Sequence, residues 1–304
     1  MKRRQVLQGL AALPLAATLQ ASAGQAAQPV ATRRIPSSGE ALPAVGLGSW
    51  ITFNVGDDPQ ALAACTQVMQ AFFAGGGRMI DSSPMYGSAQ ATIGHGLRAL
   101  RDAPVFSADK VWVGSGARGP AQVEASRRLW GVPRFDLLQV HNLLAWESHL
   151  PMLLQMKAAG RLRYVGITTS EGRRHDEVER LLRTQPIDFV QLTYNLLDRE
   201  VEQRLLPLAQ ERRVAVIVNR PFRQGALLQA LQRHPLPGWA AEIGCDGWAQ
   251  AALKFIVSHP AVTCAIPATT RVDHVRQNLG AARGRMPDAA LRQRMAADVQ
   301  GLVR

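Results

Sequence analysis

The sequence from Arg163 to Tyr194 reads RYVGITTSEGRRHDEVERLLRTQPIDFVQLTY. It begins with the largely apolar run Arg163–Thr168, continues through the helix-like stretch Asp176–Leu182, and ends in a second apolar run, Phe189–Tyr194. Mostly apolar runs are typical of parallel strands that are covered on both faces. The segment therefore predicts a strand–helix–strand unit in which the two strands are parallel.

The same alternation continues in both directions along the chain. Eight strands are expected at Ala44–Ser49, Arg78–Ser82, Val105–Val113, Leu137–His141, Arg163–Thr168, Phe189–Tyr194, Val214–Val218 and Val262–Ile266. Helices are expected at Gln60–Gly75, Ala89–Leu100, Pro120–Trp130, His149–Ala159, Asp176–Leu182, Glu200–Glu211, Trp248–Val257 and Val272–Gly280. Eight such units predict an α/β fold of the (β/α)8 TIM-barrel type. An open doubly wound sheet is disfavoured, because Gly46-Leu47-Gly48 lacks the third glycine of its G-x-G-x-x-G turn.

Residues 1–23 resemble an export signal and not a part of the fold. A charged start, Lys2-Arg3-Arg4, precedes the weakly apolar stretch Val6–Leu19 and the small-residue site Ala21-Ser22-Ala23. The pattern Arg3-Arg4-Gln5-Val6-Leu7 resembles a twin-arginine signal; the alternative is a basic tail. We therefore expect the twin-arginine machinery to deliver residues 24–304 to the periplasm as one barrel domain. The segment Thr32–Pro43 predicts a hairpin that caps the bottom of that barrel.

Composition excludes several classes of protein. The 304 residues are 47% hydrophobic and 19% charged, which indicates a globular chain. No apolar run reaches the length of a membrane-spanning helix. The net charge of +12 falls to +9 without the three positive charges of the signal, but the arginines are scattered, so no nucleic-acid partner is expected.

The three cysteines, Cys65, Cys245 and Cys264, have no metal-ligand spacing, and no metal is expected. Cys264 stands in an apolar run and is interpreted as a small buried hydrophobic residue.

Four reactive side chains fall where a barrel places its active site, at the carboxyl ends of strands. Asp81 ends the second expected strand and Tyr86 follows it, Lys110 is on the third, and His141 ends the fourth. The ammonium of Lys110 would lower the pKa of the Tyr86 phenol, because a nearby positive charge favours the phenolate. Asp81 would hold that ammonium in place, and His141 would hydrogen-bond and orient a substrate oxygen.

Each of the four residues also has a plainer interpretation. Asp81 could cap a turn, and Tyr86 could pack on the rim. Lys110 could belong to a solvated turn, and His141 could be a core histidine whose hydrogen bonds are all satisfied. The joint pattern is more specific than any one of its members.

Several motifs occur in the order found in the aldo-keto reductase family, which the chain resembles over Ile35–Gly280. They are GLGSW at Gly46–Trp50, MIDSSPMYG at Met79–Gly87, LQVHN at Leu138–Asn142, YVGIT at Tyr164–Thr168, VQLTYN at Val190–Asn195, and Ile266–Gly280. The resemblance implies hydride transfer from a nicotinamide cofactor to an aldehyde or ketone. It makes Tyr86 the proton donor, Lys110 the group that adjusts its pKa, Asp81 the partner of Lys110, and His141 the group that orients the substrate.

The resemblance also implies a set of binding residues. Trp50 and His141 would face the substrate. The cofactor would be held by Gly48, Ser49, Thr168, Thr169, Gln191, Asn219, Arg220, Pro221, Thr269, Arg271 and Asn278.

The chain departs from the family pattern within that set. Thr168-Thr169 replaces a common Ser-Asn pair, and Asn219 replaces an aromatic residue. Ala268 and His274 replace a lysine and an arginine that commonly recognise a 2′-phosphate. Arg271 can substitute for them, because a guanidinium suits phosphate geometry. We expect NADP(H) in preference to NAD(H).

Two other functions remain open from the sequence. One is a nicotinamide-nucleotide-binding sensor or partner protein with little turnover, which the altered cofactor positions favour. The other is a barrel isomerase or aldolase, although Gln224-Gly225 poorly matches the phosphate-binding glycine loop that it would need. The sequence continues for only 24 residues after the last expected helix, Val272–Gly280, so we expect no long C-terminal substrate loop and an open pocket that tolerates bulky carbonyl compounds.

Overall fold

The computed structural model describes residues 29–303, and the expected export signal at residues 1–23 lies outside the described residues. The described chain begins with an antiparallel hairpin of strands β1 (Thr32–Arg34) and β2 (Ala41–Pro43). This confirms the hairpin expected from the sequence.

Eight parallel strands follow and pair in the order of the chain. They are β3 (Leu47–Gly48), β4 (Met79–Asp81), β5 (Phe106–Val111), β6 (Phe135–Val140), β7 (Leu162–Thr168), β8 (Phe189–Thr193), β9 (Ala215–Asn219) and β10 (Val262–Ala265). The predicted barrel is therefore confirmed. The first strand is shorter than expected, and its earlier part contributes a single bridge from Val45 to Ala265.

Hydrogen bonds between the first and last strands close the barrel. The backbone N–H of Gly46 donates to Ala265 at 2.8 Å, and that of Gly48 donates to Pro267 at 3.0 Å. A Cβ on residue 48 would lie 2.8 Å from the carbonyl oxygen of Ile266. Only glycine fits this close approach of two backbones without a shift.

Helices cover the outside of the strands. They are α1 (Pro59–Ala74), α2 (Ala89–Ala99), α3 (Gly119–Trp130), α4 (Trp146–Ala158), α5 (His175–Thr184), α6 (Leu205–Glu211), α7 (Ala226–Leu231), α8 (Trp239–Glu242), α9 (Trp248–Val257), α10 (Val272–Gly280) and α11 (Ala289–Leu302). No helix among residues 29–303 is both long enough and apolar enough to cross a membrane.

The expected helix at Glu200–Glu211 is interrupted. A short 3-10 turn covers Glu200–Glu202, and α6 begins only at Leu205. Pro207 explains the break, because its ring is tolerated in the first turn of a helix but not in the interior.

Helix α11 was not expected from the sequence. Its buried face includes Arg292, whose guanidinium donates to the carbonyl of Phe255 at 2.5 Å and to Oε1 of Glu202 at 3.0 Å. A charged residue on the core-facing side hides the apolar periodicity that predicts a helix.

The hairpin closes the lower end of the barrel. Ile35 and Leu42 pack with the first residues of three strands, Met79, Phe106 and Phe189, and all five are buried. Cys264 belongs to the same cluster and is fully buried, as expected. The opposite end, where the strands finish, carries the polar side chains described next.

Candidate active site

A buried ion pair lies at the carboxyl ends of β4 and β5. Nζ of Lys110 lies 2.5 Å from Oδ2 of Asp81 and also donates to the carbonyl of Ser82 at 2.8 Å. Both side chains are almost fully buried, so Lys110 is not part of a solvated turn. Burial opposes the charged form of Lys110, but Asp81 and Tyr86 outweigh it and raise the pKa of the ammonium. Lys110 therefore stays charged.

Tyr86 stands beside that ammonium in the loop between β4 and α2. Nζ of Lys110 is 5.3 Å from the centroid of the Tyr86 ring. Burial raises the pKa of Tyr86, and Asp81 adds to this, while Lys110 lowers it without reversing the net shift. The lysine therefore acts in the expected direction, but the phenol of the free protein remains protonated and able to donate.

His141 faces Tyr86 across the same rim. β6 ends at Val140, one residue earlier than expected, and His141 opens a 3-10 turn. The two rings meet edge-on with centroids 5.8 Å apart. Burial, with the nearby Lys110, lowers the pKa of His141 to about 3, so the imidazole is neutral at ordinary pH.

His141 is not a core histidine with all its hydrogen bonds satisfied. Its Nδ1 is 2.8 Å from Oγ of Ser83. Within residues 29–303, its Nε2 has no hydrogen-bond partner and does not count among the fully buried polar atoms. This nitrogen is available to a ligand on the rim.

The next three strands bring together the side chains expected at the nicotinamide. Nε2 of Gln191 donates to Oδ1 of Asp81 at 3.0 Å, which ties this amide directly to the ion pair. Nδ2 of Asn219 donates to the carbonyl of Thr169 at 2.9 Å. The hydroxyl of Thr168 accepts from the N–H of Asn142 at 2.9 Å. Thr169 uses its hydroxyl within its own loop, where it donates to the carbonyl of Arg173 at 2.5 Å.

The Arg220-Pro221 turn follows β9 directly. Arg220 has a positive φ of 50°, and its guanidinium pairs with Glu171 of the loop after β7 at 2.7 Å. The expected pyrophosphate ligand thus has an acidic partner in the free protein.

The residues expected at the adenosine end cluster around α10. The hydroxyl of Thr269 accepts from the N–H of Arg271 at 3.1 Å, and Asn278 is buried within the helix. The guanidinium of Arg271 is exposed but pairs with the carboxylate of Asp273. Asp273 has a pKa lowered to about 2, first by its hydrogen bond to Arg271.

The first strand completes the rim. Oγ of Ser49 donates to the carbonyl of Asp81 at 2.9 Å. Gly48 lies at the barrel seam, the line along which the first and last strands are hydrogen-bonded. Trp50 is 37% exposed, so its ring is available to a substrate.

Sequence reasoning missed several residues of the site. Gln139 donates to Oδ1 of Asp81 at 3.3 Å, and the exposed Trp112 has its ring centroid 6.5 Å from that of His141. Gln139 precedes His141 by two residues at the end of β6, and Trp112 follows Lys110 by two residues, one residue beyond β5, so the side-chain period of two would have pointed to both. Ser83 also lies two residues from Asp81, but it belongs to the loop after β4, where the period of two does not fix the direction of a side chain.

Asp109, beside Lys110 on β5, was also missed. Its carboxylate is fully buried and accepts from Nε2 of Gln90 at 2.7 Å and from the N–H of Lys110 at 2.8 Å. Burial raises the pKa of Asp109 to about 7.

The rim fits a nicotinamide dinucleotide by its donor chemistry. The amides of Gln191 and Asn219 lie on adjacent strands, β8 and β9, and the guanidinium groups of Arg220 and Arg271 lie in the loops that follow β9 and β10. Amides suit a carboxamide and guanidinium groups suit phosphates. Residues 29–303 contain no group of three side chains placed to hold a metal ion.

Comparisons with known proteins agree with this chemistry. The family model described as "Aldo/keto reductase family" matches residues 44–295. Methylglyoxal reductase YeaE of Escherichia coli (strain K12) is 29% identical over 254 residues, which cover 81% of this chain and 88% of that protein. The NADH-specific methylglyoxal reductase of the same organism is 26% identical over 236 residues, which cover 66% of this chain and 69% of that protein.

Solved structures share the fold. An aldo-keto reductase from Klebsiella pneumoniae in complex with NADPH is 24% identical, with a TM-score of 0.74 over 90% of this chain and 96% of that one. The holo form of AKR11C1 from Bacillus halodurans is 22% identical, with a TM-score of 0.73 over 90% of this chain and 97% of that one. The chain therefore belongs to the aldo/keto reductase family and is an NAD(P)H-dependent oxidoreductase.

Proposed function

We propose that the protein reduces small aldehydes and 2-oxoaldehydes such as methylglyoxal to alcohols, with NADPH as the preferred donor. The observation that carries the chemistry is the contact of Tyr86 with the buried Lys110–Asp81 pair. The names of the two Escherichia coli relatives support the substrate class.

Each catalytic side chain has a distinct task. A nicotinamide cofactor bound at this rim would supply the hydride for the carbonyl carbon, and Tyr86 would give its phenolic proton to the carbonyl oxygen. Lys110 stabilises the phenolate that forms, because its charge lies close to the Tyr86 ring. Asp81 holds Lys110 in place, and neutral His141 hydrogen-bonds the substrate oxygen as negative charge develops on it.

We assign the cofactor to the residues expected from the sequence. Gln191 and Asn219 would bind the carboxamide, and Arg220 would turn from Glu171 to the pyrophosphate. Arg271 is the basic group available for a 2′-phosphate, which supports NADPH. Its pairing with Asp273 weakens that preference.

We also propose that the protein reaches the periplasm in its folded form through the twin-arginine machinery. The support is the pair Arg3-Arg4 with the following weakly apolar stretch and the site Ala21–Ala23. A protease-protection assay on the full chain and on an Arg3→Lys, Arg4→Lys variant tests this. Loss of periplasmic protein in the variant is expected, and equal export of both would contradict it.

The reaction is tested with Tyr86→Phe in steady-state reduction of methylglyoxal by NADPH. Turnover should fall by roughly 100-fold or more, the scale of a lost general acid. Tyr164→Phe is the matched control, because that hydroxyl lies at the bottom of the barrel and binds Ser38 and Glu40. Unchanged turnover in Tyr86→Phe would exclude the mechanism. Tight NADPH binding without multiple turnover in the wild type would favour the sensor function.

A further inference from the structure

The hydroxyl of Ser83 is the only hydrogen-bond partner of the His141 ring within residues 29–303. Ser83 lies two residues after Asp81 and is fully buried. Its Oγ is 2.8 Å from Nδ1 of His141, although the two residues are 58 positions apart. This contact fixes the plane of a ring that points at the rim.

The direction of that hydrogen bond follows from the other contact of Ser83. The backbone N–H of Met85 donates to Oγ of Ser83 at 3.2 Å. The oxygen therefore already accepts one hydrogen bond, and its own proton needs an acceptor. Nδ1 of His141 is the acceptor within reach.

The opposite arrangement would leave a buried donor without a partner. If Nδ1 carried the ring proton and donated to Ser83, the hydroxyl proton would have no acceptor among residues 29–303, at a fully buried position. Buried polar groups without partners are strongly disfavoured. Since the ring is neutral, its single proton must then lie on Nε2.

We propose that Ser83 is a positioning residue that holds His141 in the Nε2–H tautomer, so that this nitrogen donates a hydrogen bond to the carbonyl oxygen of the substrate. The open side of the ring supports this, because Nε2 has no partner among the described residues. The catalytic half of the proposal rests on the proposed carbonyl reduction, whereas the tautomer is a property of the free protein.

The tautomer is measured by NMR of the mature protein labelled with 15N-histidine, without cofactor or substrate, at neutral pH. The chain has seven histidines, and His141→Gln identifies the His141 ring by loss of its signals. An unprotonated Nδ1 and a protonated Nε2 are expected. A protonated Nδ1 in the wild type would overturn the proposal, whatever the enzyme's activity.

Ser83→Ala and Ser83→Thr then test the role of the hydroxyl. Ser83→Ala should allow the second tautomer to appear, whereas Ser83→Thr keeps a donor and should retain the wild-type signals. Ser82→Ala is the matched control for this readout, because the Ser82 hydroxyl is buried without a hydrogen-bond partner among the described residues. Identical His141 signals in Ser83→Ala and wild type would overturn the role of Ser83.

Steady-state kinetics test whether the Nε2–H tautomer of His141 contributes to catalysis. In methylglyoxal reduction, Ser83→Ala should lower kcat roughly threefold to tenfold, the scale of one hydrogen bond, with little change in KM. Ser83→Thr should restore kcat. A shifted tautomer with unchanged kcat would overturn the catalytic half. If the wild type reduces no carbonyl compound, the proposed function fails while the NMR result still decides the tautomer.

Discussion

The side-chain amide of Asn219 donates a 2.9 Å hydrogen bond to the main-chain carbonyl of Thr169. The contact spans from β9 to the end of β7, across β8. An amide side chain therefore lies against residue 169, although residue 169 itself is a threonine. The same amide nitrogen also lies 3.4 Å from Oε1 of Gln191.

We predict that Asn219→Ala weakens cofactor binding. The substitution frees the Thr169 carbonyl and removes an amide from the expected carboxamide site. The dissociation constant of NADPH, measured by protein fluorescence, should rise roughly threefold to tenfold, the value of one or two hydrogen bonds. Urea unfolding of the cofactor-free variant serves as the control for general loss of structure. An unchanged dissociation constant would remove Asn219 from the cofactor site.

Asp273→Asn should favour NADPH over NADH. The carboxylate of Asp273 pairs with Arg271 and would repel a 2′-phosphate. Its removal frees the guanidinium, so the KM for NADPH should fall several-fold while the KM for NADH hardly changes. The effect should shrink with added salt, because both groups are exposed. Equal changes for the two cofactors would exclude Arg271 as the phosphate ligand.

Asp109→Asn should change the pH dependence of stability. Burial raises the pKa of Asp109 from 3.8 to about 7, so the native state binds this proton more tightly than the unfolded chain. The stabilisation that protonation provides is complete below pH 4 and is lost as the pH rises through 7.

The Asp109→Asn side chain does not ionise, so the variant does not lose stability at this position as the pH rises. Urea unfolding should show it gaining stability relative to the wild type between pH 5 and pH 8, by at most about 3 kcal/mol, because only the rise from pH 5 to about pH 7 contributes at 1.36 kcal/mol per pH unit. The Gln90 amide can rotate to accept from the new Nδ2. A stability difference that is the same at both pH values would contradict the raised pKa.

Gly48→Ala should strain the barrel seam. The new Cβ would lie 2.8 Å from the carbonyl oxygen of Ile266, which is rigid backbone. We expect a loss of about 1–3 kcal/mol in the free energy of unfolding, the usual cost of overpacking. Gly238→Ala is the control, since nothing lies within 4 Å of that position. Equal stability of the two variants would show that the seam opens easily.

The sequence predicts the barrel and the ion pair for clear physical reasons. Strands and helices carry periodic apolar patterns, and a barrel always gathers the ends of its strands on one face. Asp81, Lys110 and His141 were therefore expected at the same rim once their strands were identified. Tyr86 lies close behind Asp81 along the chain and could not be far away.

The remaining features depend on contacts that no local pattern encodes. Helix α11 was missed because Arg292 occupies a core-facing position and binds partners on other elements. The bond between Ser83 and His141 joins two loops, and the charge of Asp273 matters only because its side chain turns towards Arg271. The net rise in the pKa of Tyr86 depends on burial, which is fixed only when the barrel is assembled.

The seam between Gly48 and Pro267 also sets the order in which the molecule can be completed. A growing chain cannot join its first barrel strand to its last until residue 268 has left the ribosome. Until then, β3 and the last strand made each present an unpaired edge, which invites aggregation. The expected cofactor residues Thr269 and Asn278 follow residue 268 in the chain, so the rim is complete only after the seam can close. A translocation route that waits for the finished fold would carry this protein across with its active site already assembled.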